Sequence, residues 1–411
     1  MQASAPIIHI YFRMQYTTPS RLSLSDVGNA VPEFYVLKID KVANQRIKEG
    51  RDIIKLNLGK SEVPMPKYVA DEMSQLLYDT NRREVVDSQG LFALREEIAN
   101  EYRTRWGARV SPNNVFINNG TSPFFLSLFL ILVNPGEDIL LPRPYYPTYV
   151  AAATIARANK TFYAIRNGRI DMDELARNFA PGKTRIVFLN SPGNPLGNVV
   201  SEEEMRRVLD IVNGQAHVIC DEIYDGFVYD HMPRSIYNVY NPDRDQVIVL
   251  NGFSKIHHMY TRRLGFAIVP DAFTGALLKF QQHTVVCVDP VTQFGGLISF
   301  KNKSKLIEEE IHAEVEEYAR RLRDCESLMS RTRLKVIPPG GSFYMGVDVS
   351  GYLSGNFPHS LSLAQKLLDE ADVAITPAED FGGTDFFRVS LTSSRVVEGV
   401  KRMCEYVLKL G

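Results

Sequence analysis

Between residues 115 and 270 the chain alternates short, continuously apolar runs with helical patterns, and this alternation limits the fold more than any other feature. The runs are Val115–Ile117, Asp138–Leu141, Arg185–Leu189, His217–Cys220, Gln246–Leu250 and Gly265–Val269. Between them lie helical candidates such as Ser201–Val212, where Ser201 is a good N-cap and Glu202, Glu203 and Glu204 place negative charge in the first turn. Strands without polar alternation are covered on both faces, so the pattern predicts an α/β protein with a mostly parallel sheet flanked by helices.

Beyond Lys301 the pattern changes. Lys305–Met329 reads as one long, charge-rich amphipathic helix with i,i+4 pairs Glu316–Arg320 and Glu317–Arg321. A turn at Pro338–Ser342 leads into a strand at Phe343–Val349, then a helix at Ser360–Ala371 and a strand at Phe386–Leu391. This is the pattern of a smaller α+β lobe, against which the first 65 residues are expected to pack, because chain ends often meet. A chain of 411 residues exceeds one ordinary core. The expected division is a large domain over 67–300 and a small domain built from 1–66 and 301–411.

The formal net charge of −1 argues against a nucleic-acid partner. Cys220, Cys287, Cys325 and Cys404 are scattered without metal-ligand spacing, so they read as free thiols, with no metal site expected. The longest apolar stretch, Phe124–Val133, suits a buried helix, and Ile7–Phe12 is too short for a signal or a span. No membrane association is expected, and the expected location is the cytoplasm.

Several apolar runs end in polar clusters: Asn118–Ser122, Pro142–Tyr149, Asn190–Gly197, Asp221–Tyr224 and Asn251–Lys255. In a parallel sheet, ligands bind at the carboxyl ends of strands, so these five clusters can share one site. Four motifs among them and near the C-terminus stand in a telling order. They are Asn190-Ser191-Pro192-Gly193-Asn194-Pro195-Leu196-Gly197, Asp221-Glu222-Ile223-Tyr224, Gly252-Phe253-Ser254-Lys255 with Arg263 eight residues on, and Phe387-Arg388-Val389-Ser390.

In this set the chain resembles the class I/II aminotransferases of the aspartate aminotransferase superfamily, the fold-type I pyridoxal-phosphate (PLP) enzymes, over nearly its whole length. The resemblance implies that Lys255 forms a Schiff base with pyridoxal 5'-phosphate and that Arg263 binds the cofactor phosphate, with Ser254 beside them. A lysine suits this work because its neutral amine condenses with an aldehyde and then shuttles protons. Arginine suits phosphate through its planar, permanently charged fork. Asp221 is expected to pair with the pyridine nitrogen, and Tyr224 and Asn194 with the ring oxygen. Arg388 is expected to hold the substrate carboxylate, joined by Asn194 and Gly59.

Gly120, Thr121 and Ser122 precede the apolar helix and can hold a phosphate at its N-terminus. In Pro144-Tyr145-Tyr146-Pro147, Tyr146 is the candidate to stack on the cofactor, with Tyr145 the alternative. Taken singly, each of these residues has an ordinary reading as a turn, a cap or a surface charge. Their joint order carries the resemblance. It also implies a homodimer with sites at the subunit interface, and a start near Pro19–Leu22, leaving 1–13 as an extension.

Val85, Gly252, Leu196 and Thr261 depart from the family pattern around the phosphate cup. The overall reaction therefore stays open at this point. An aminotransferase moving an amino group between an amino acid and a 2-oxo acid is the first expectation. The alternative is a PLP-dependent lyase or cyclase in specialised biosynthesis, like capreomycidine synthase acting on a hydroxylated arginine. Glu62 and Asp289 are acids that could pair with a cationic substrate, although solvated loop acids are commoner. A PLP-sensing regulator ranks lowest, because no DNA-binding segment fits before residue 20.

Overall fold

The computed structural model describes residues 23–79 and 86–410. The N-terminal features at 1–22 and Val85 lie outside the described residues. Strand β1 (Ile54–Lys55) comes first. It is followed by β2 (Val115–Asn118), β3 (Asp138–Arg143), β4 (Asn159–Arg166), β5 (Arg169–Ile170), β6 (Thr184–Asn190), β7 (His217–Asp221), β8 (Gln246–Gly252) and β9 (Gly265–Ile268). Strands β2 to β9 form one sheet in the order β2-β9-β8-β7-β6-β3-β4-β5. The central run from β8 to β4 is parallel, while β9 and β5 pair antiparallel to their neighbours. All six expected runs are strands. Strand β4 was not expected, since its Asn, Lys, Thr and Arg residues leave it only partly buried.

Each central strand sends alternate residues to opposite faces. Val187 and Leu189 of β6 join Val218 and Cys220 of β7 and Val249 of β8 in one core cluster. Ile186, Phe188, Ile219, Ile248 and Leu250 enter a second cluster across the sheet, together with Phe124, Phe125, Leu128 and Phe129. Two-sided burial is why these strands lack polar alternation. The helix Glu202–Val212 is closed by a reciprocal cap, in which Ser201 accepts from the Glu204 N–H and Glu204 accepts from the Ser201 N–H.

Five more strands follow, β10 (Lys335–Ile337), β11 (Tyr344–Asp348), β12 (Val373–Ala374), β13 (Thr376–Pro377) and β14 (Phe386–Ser390), four of which make a second sheet. Its order is β10-β11-β14-β13, and β12 instead pairs in parallel with β1. Ile54 and Leu56 share a core cluster with Phe343, Tyr344, Val373, Phe387 and Val400, so the N-terminal segment does pack on the C-terminal part.

The expected helix Lys305–Met329 is not uniform. A short helix Lys303–Leu306 passes through a π-turn, Ile307–Ile311, into His312–Met329. Glu317 pairs with Arg321 as expected, at 2.7 Å. The Glu316–Arg320 pair does not form. Arg320 lies between Glu317 and Asp324 and holds both, while Glu316 meets His231 at 3.0 Å. Among the described residues, no helix is long and apolar enough to cross a membrane.

Candidate active site

The carboxyl ends of β2, β3, β6, β7 and β8 lie along one edge of the large sheet, because β2 runs parallel in direction to β8 through the intervening antiparallel β9. Asp221 ends β7, Lys255 follows β8, and the loop after β6 carries Asn194. Arg388 arrives from β14 of the second sheet. The topology thus gathers residues that sequence separates by almost two hundred positions.

Asp221 is 3 % exposed. Its Oδ2 accepts from the Tyr149 hydroxyl at 2.7 Å and its Oδ1 from the Ile223 N–H at 3.2 Å. Burial pushes its carboxyl up to about 6, against the pull of those donors and of Lys255. The Lys255 Nζ donates to the Gly59 carbonyl at 2.9 Å and sits 5.3 Å from the ring centres of Tyr224, Tyr260 and Phe343. Burial lowers the lysine to about 7, helped by the nearby charges of Arg388 and Arg263. An amine so placed is substantially neutral near physiological pH.

Arg388 is 4 % exposed and lies between the rings of Tyr344, 4.4 Å away, and Phe381, 5.1 Å away. Its guanidinium donates to Asn194 Oδ1 at 3.0 Å, to the Asn57 carbonyl at 2.5 Å and to Thr376 Oγ1 at 3.3 Å. Its Nε is buried without a partner. The side chain of Asn194 therefore reaches Arg388 here, and the Tyr224 hydroxyl meets that of Tyr344 at 3.3 Å.

Gly120, Thr121 and Ser122 form the entry to the helix Ser122–Leu132, whose N-cap Thr121 makes no side-chain cap bond. Arg263 lies over this turn. A Cβ on Gly120, at φ +86, would come within 2.8 Å of its Nη2. The Arg263 Nη1 also reaches Ser254 Oγ at 3.4 Å. Gly252 faces Gly265 across β8 and β9, and a Cβ there would lie 2.9 Å from both Gly265 Cα and the Leu264 carbonyl. That crowding accounts for a residue without a side chain at 252. Leu196 is buried among Ala378, Phe381 and Phe386, which suits an apolar residue.

The two tyrosines of the Pro144–Pro147 turn part ways. Tyr145 stacks on Phe162 at 5.6 Å and abuts Gly382, where a Cβ would lie 2.5 Å from its ring. Tyr146 packs edge-on against Tyr149 at 5.5 Å, within electrostatic reach of Tyr344, Arg388 and Asp221. Gly59 is pressed against Tyr344, whose hydroxyl would be 1.7 Å from any Cβ added there. Glu62 and Asp289 are both engaged, Glu62 by the Ser394 N–H at 3.0 Å and Asp289 as N-cap of the helix Pro290–Lys301.

Residues the motifs did not single out also line the chamber. Tyr149 belongs to the quoted Pro142–Tyr149 cluster, and its 2.7 Å bond to Asp221 follows from its place in the first turn of the helix Pro147–Ile155. Tyr344, Asn57 and Thr376 come from the second sheet and the N-terminal segment, and only docking of that part brings them in.

The donor set fits PLP. An amine held near neutrality stands beside a buried carboxylate, a cationic fork lies over an uncapped helix start, and a buried arginine keeps one donor free.

Solved structures share this fold. Aspartate aminotransferase from Thermus thermophilus with maleate superposes with a TM-score of 0.87 at 22 % identity, over 95 % of this chain and 100 % of that one. Aspartate aminotransferase from Thermotoga maritima gives a TM-score of 0.83 at 26 % identity, over 94 % and 100 %. In sequence, the Thermotoga maritima aspartate aminotransferase is 28 % identical over 384 residues, 92 % of this chain and 97 % of that protein. A (5-formylfuran-3-yl)methyl phosphate transaminase of Methanocaldococcus jannaschii is 29 % identical over 383 residues, 92 % and 97 %. The family model for aminotransferase class I and II matches residues 51–407. The chain belongs to the class I and II aminotransferases, whose members use PLP, and it is an enzyme of that type.

Proposed function

We propose that the protein moves an α-amino group between an amino acid and a 2-oxo acid, with PLP held on Lys255 at the edge of the large sheet. The observation that carries this reading is the convergence of Lys255, Asp221 and Arg388 in one buried chamber. When bound, the cofactor accepts the electron pair released at the substrate Cα. Lys255, near neutral, takes and returns the Cα proton through Nζ. Asp221, kept in place by Tyr149 and the Ile223 N–H, would pair its negative charge with the ring nitrogen. Tyr224 and Asn194 would serve the ring oxygen, and Tyr146 would pack beside the ring. Arg263, Ser254, Gly120, Thr121 and Ser122 hold the phosphate at the helix start. Arg388, with Asn194 and Gly59, would grip the substrate carboxylate and so hold the amino acid within reach of Lys255.

The working unit in this reading is a cytoplasmic homodimer, each protomer divided into 67–300 and the flanking small domain. The free thiols support the compartment, and the family resemblance implies the dimer. Relatives named for aspartate make L-aspartate the first donor to test. No observation favours elimination or ring closure, since Glu62 and Asp289 are engaged by backbone N–H groups.

The test incubates the enzyme with a panel of amino acids, aspartate, basic and hydroxylated ones included, without any 2-oxo acid. Accumulation of pyridoxamine phosphate is expected. Steady turnover without it, releasing water or ammonia, would overturn the reading. Replacing Lys255 with Ala should remove the visible absorbance band of the purified enzyme.

A further inference from the structure

The helix Tyr35–Lys48 has an unusual start. Its N-cap residue, Phe34, offers no side-chain acceptor to the first turn. Instead, the two carboxylate oxygens of Asp380 accept from the Tyr35 and Val36 N–H groups, at 2.7 Å each, from 345 and 344 residues away. Asp380 is 5 % exposed, in the segment between β13 and β14, and close enough to Arg388 to feel its charge. A carboxylate at a helix N-terminus satisfies orphan donors and the helix dipole together.

What this helix touches gives the cap a consequence. The Val36 carbonyl and Asp40 Oδ1 accept from Asn57 Nδ2 at 3.3 and 3.4 Å. Asp40 is itself steadied by Lys55 at 2.7 Å. The carbonyl of that same Asn57 accepts from Arg388 at 2.5 Å and from Thr376 Oγ1 at 3.0 Å. Phe34, next to the cap, lies edge-on to Tyr146 at 6.2 Å. The contacts close a circuit from Asp380 through the helix start to Asn57 and on to Arg388.

We propose that Asp380 is a positioning residue for the substrate-carboxylate site, holding Asn57 against Arg388 by capping the helix Tyr35–Lys48. The inference rests on the reading of Arg388 as the carboxylate ligand. Released from Asp380, the helix start no longer fixes Asn57, and the Arg388 fork loses one of the three acceptors that aim it. Capture of the amino acid then suffers, while proton transfer at Lys255 continues.

Two variants break the cap from opposite sides. Asp380→Asn leaves one carbonyl oxygen for two N–H donors. Tyr35→Pro deletes one donor at the first helical position, where proline is well accepted, and Phe34 is already extended as proline requires. With the panel donor that gives the fastest half-reaction, both should raise KM about tenfold and change kcat by less than about twofold, as for loss of a single charge-assisted contact. Melting temperature is measured alongside, and if Asp380→Asn does not fold, Tyr35→Pro decides. An unchanged KM in the folded variants, or a fall in kcat alone, overturns the proposal and leaves Asp380 a structural cap. Arg388→Lys separates the two levels. If KM is unmoved there, the carboxylate assignment fails and this inference with it; if KM rises there but not in the cap variants, only the role of Asp380 fails.

Discussion

The Tyr149 hydroxyl and Asp221 Oδ2 form a 2.7 Å hydrogen bond with both groups buried, so the carboxylate that ends β7 is oriented by a residue 72 positions earlier. The bond favours the ionised acid and partly offsets the desolvation that drives its pKa upward.

Tyr149→Phe deletes that donor and leaves a buried carboxylate oxygen unsatisfied, a loss of about 1–3 kcal/mol. The Asp221 pKa should climb above about 6. Since the ionised acid is the working form, the acid limb of the half-reaction profile should move to higher pH. A stopped-flow pH series checks this, and an unmoved limb would separate Tyr149 from Asp221.

The same acid sets a pH dependence of stability in cofactor-free protein. Its folded pKa of about 6 lies above the ordinary aspartate value of 3.8, so between those values the folded state binds more protons than the unfolded chain. Stability from this group therefore falls as pH rises through that window, by about 3 kcal/mol in full. Asp221→Asn should raise the melting temperature at pH 7.5 by more than it does at pH 4. An equal effect at both pH values would argue against the raised pKa.

Lys255 titrates in the opposite sense. Its amine, lowered to about 7, is protonated and inert below that value and becomes nucleophilic above it. The rate at which cofactor-free protein takes up PLP should rise with a midpoint near pH 7. A midpoint near 10, the ordinary lysine range, would contradict the burial and neighbouring charges described.

Gly59→Ala places a Cβ against the Tyr344 hydroxyl, which must move. With it moves the contact to Tyr224 and the ring over Arg388. An increase in KM of about tenfold is expected, and Tyr344→Phe in the same chain should recover part of it, as coupled neighbours do. Strict additivity of the two changes would show that the clash is not what matters.

Lys303 is buried between Asp225, at 3.1 Å, and Glu101, at 2.8 Å. Lys303→Met strands the buried Asp225, while Glu101 keeps Arg105 at 3.3 Å, and should cost about 3–5 kcal/mol of stability, read by denaturant titration. Little change in kcat per folded molecule is expected.

How much of this could be read from the residues alone follows from where the information lies. Asp221, Lys255 and the Asn190–Gly197 loop were legible because a parallel sheet forces its carboxyl ends together, whatever the intervening sequence. Arg388 was legible only through the family pattern, since nothing in β14 itself says that its side chain enters the chamber. Tyr344, Asn57 and Asp380 were not singled out, because their roles depend on how the second sheet docks. Strand β4 is hard to read in the sequence for a local reason, its polar residues masking the apolar run. The pair Glu316–Arg320 failed because an arginine with carboxylates on both sides follows the better geometry, and spacing cannot rank competitors.

The span of the contacts at Arg388 bears on how the molecule comes into being. Its partners Asn57 and Asn194 are 331 and 194 positions away, and the capping Asp380 is 345 from Tyr35. During synthesis the large sheet can close once β9 has left the ribosome, with the lysine already in place. The grip for substrate cannot exist until the last strands emerge and draw the helix Tyr35–Lys48 back across the molecule. Substrate capture therefore waits on the last part of the chain to be made.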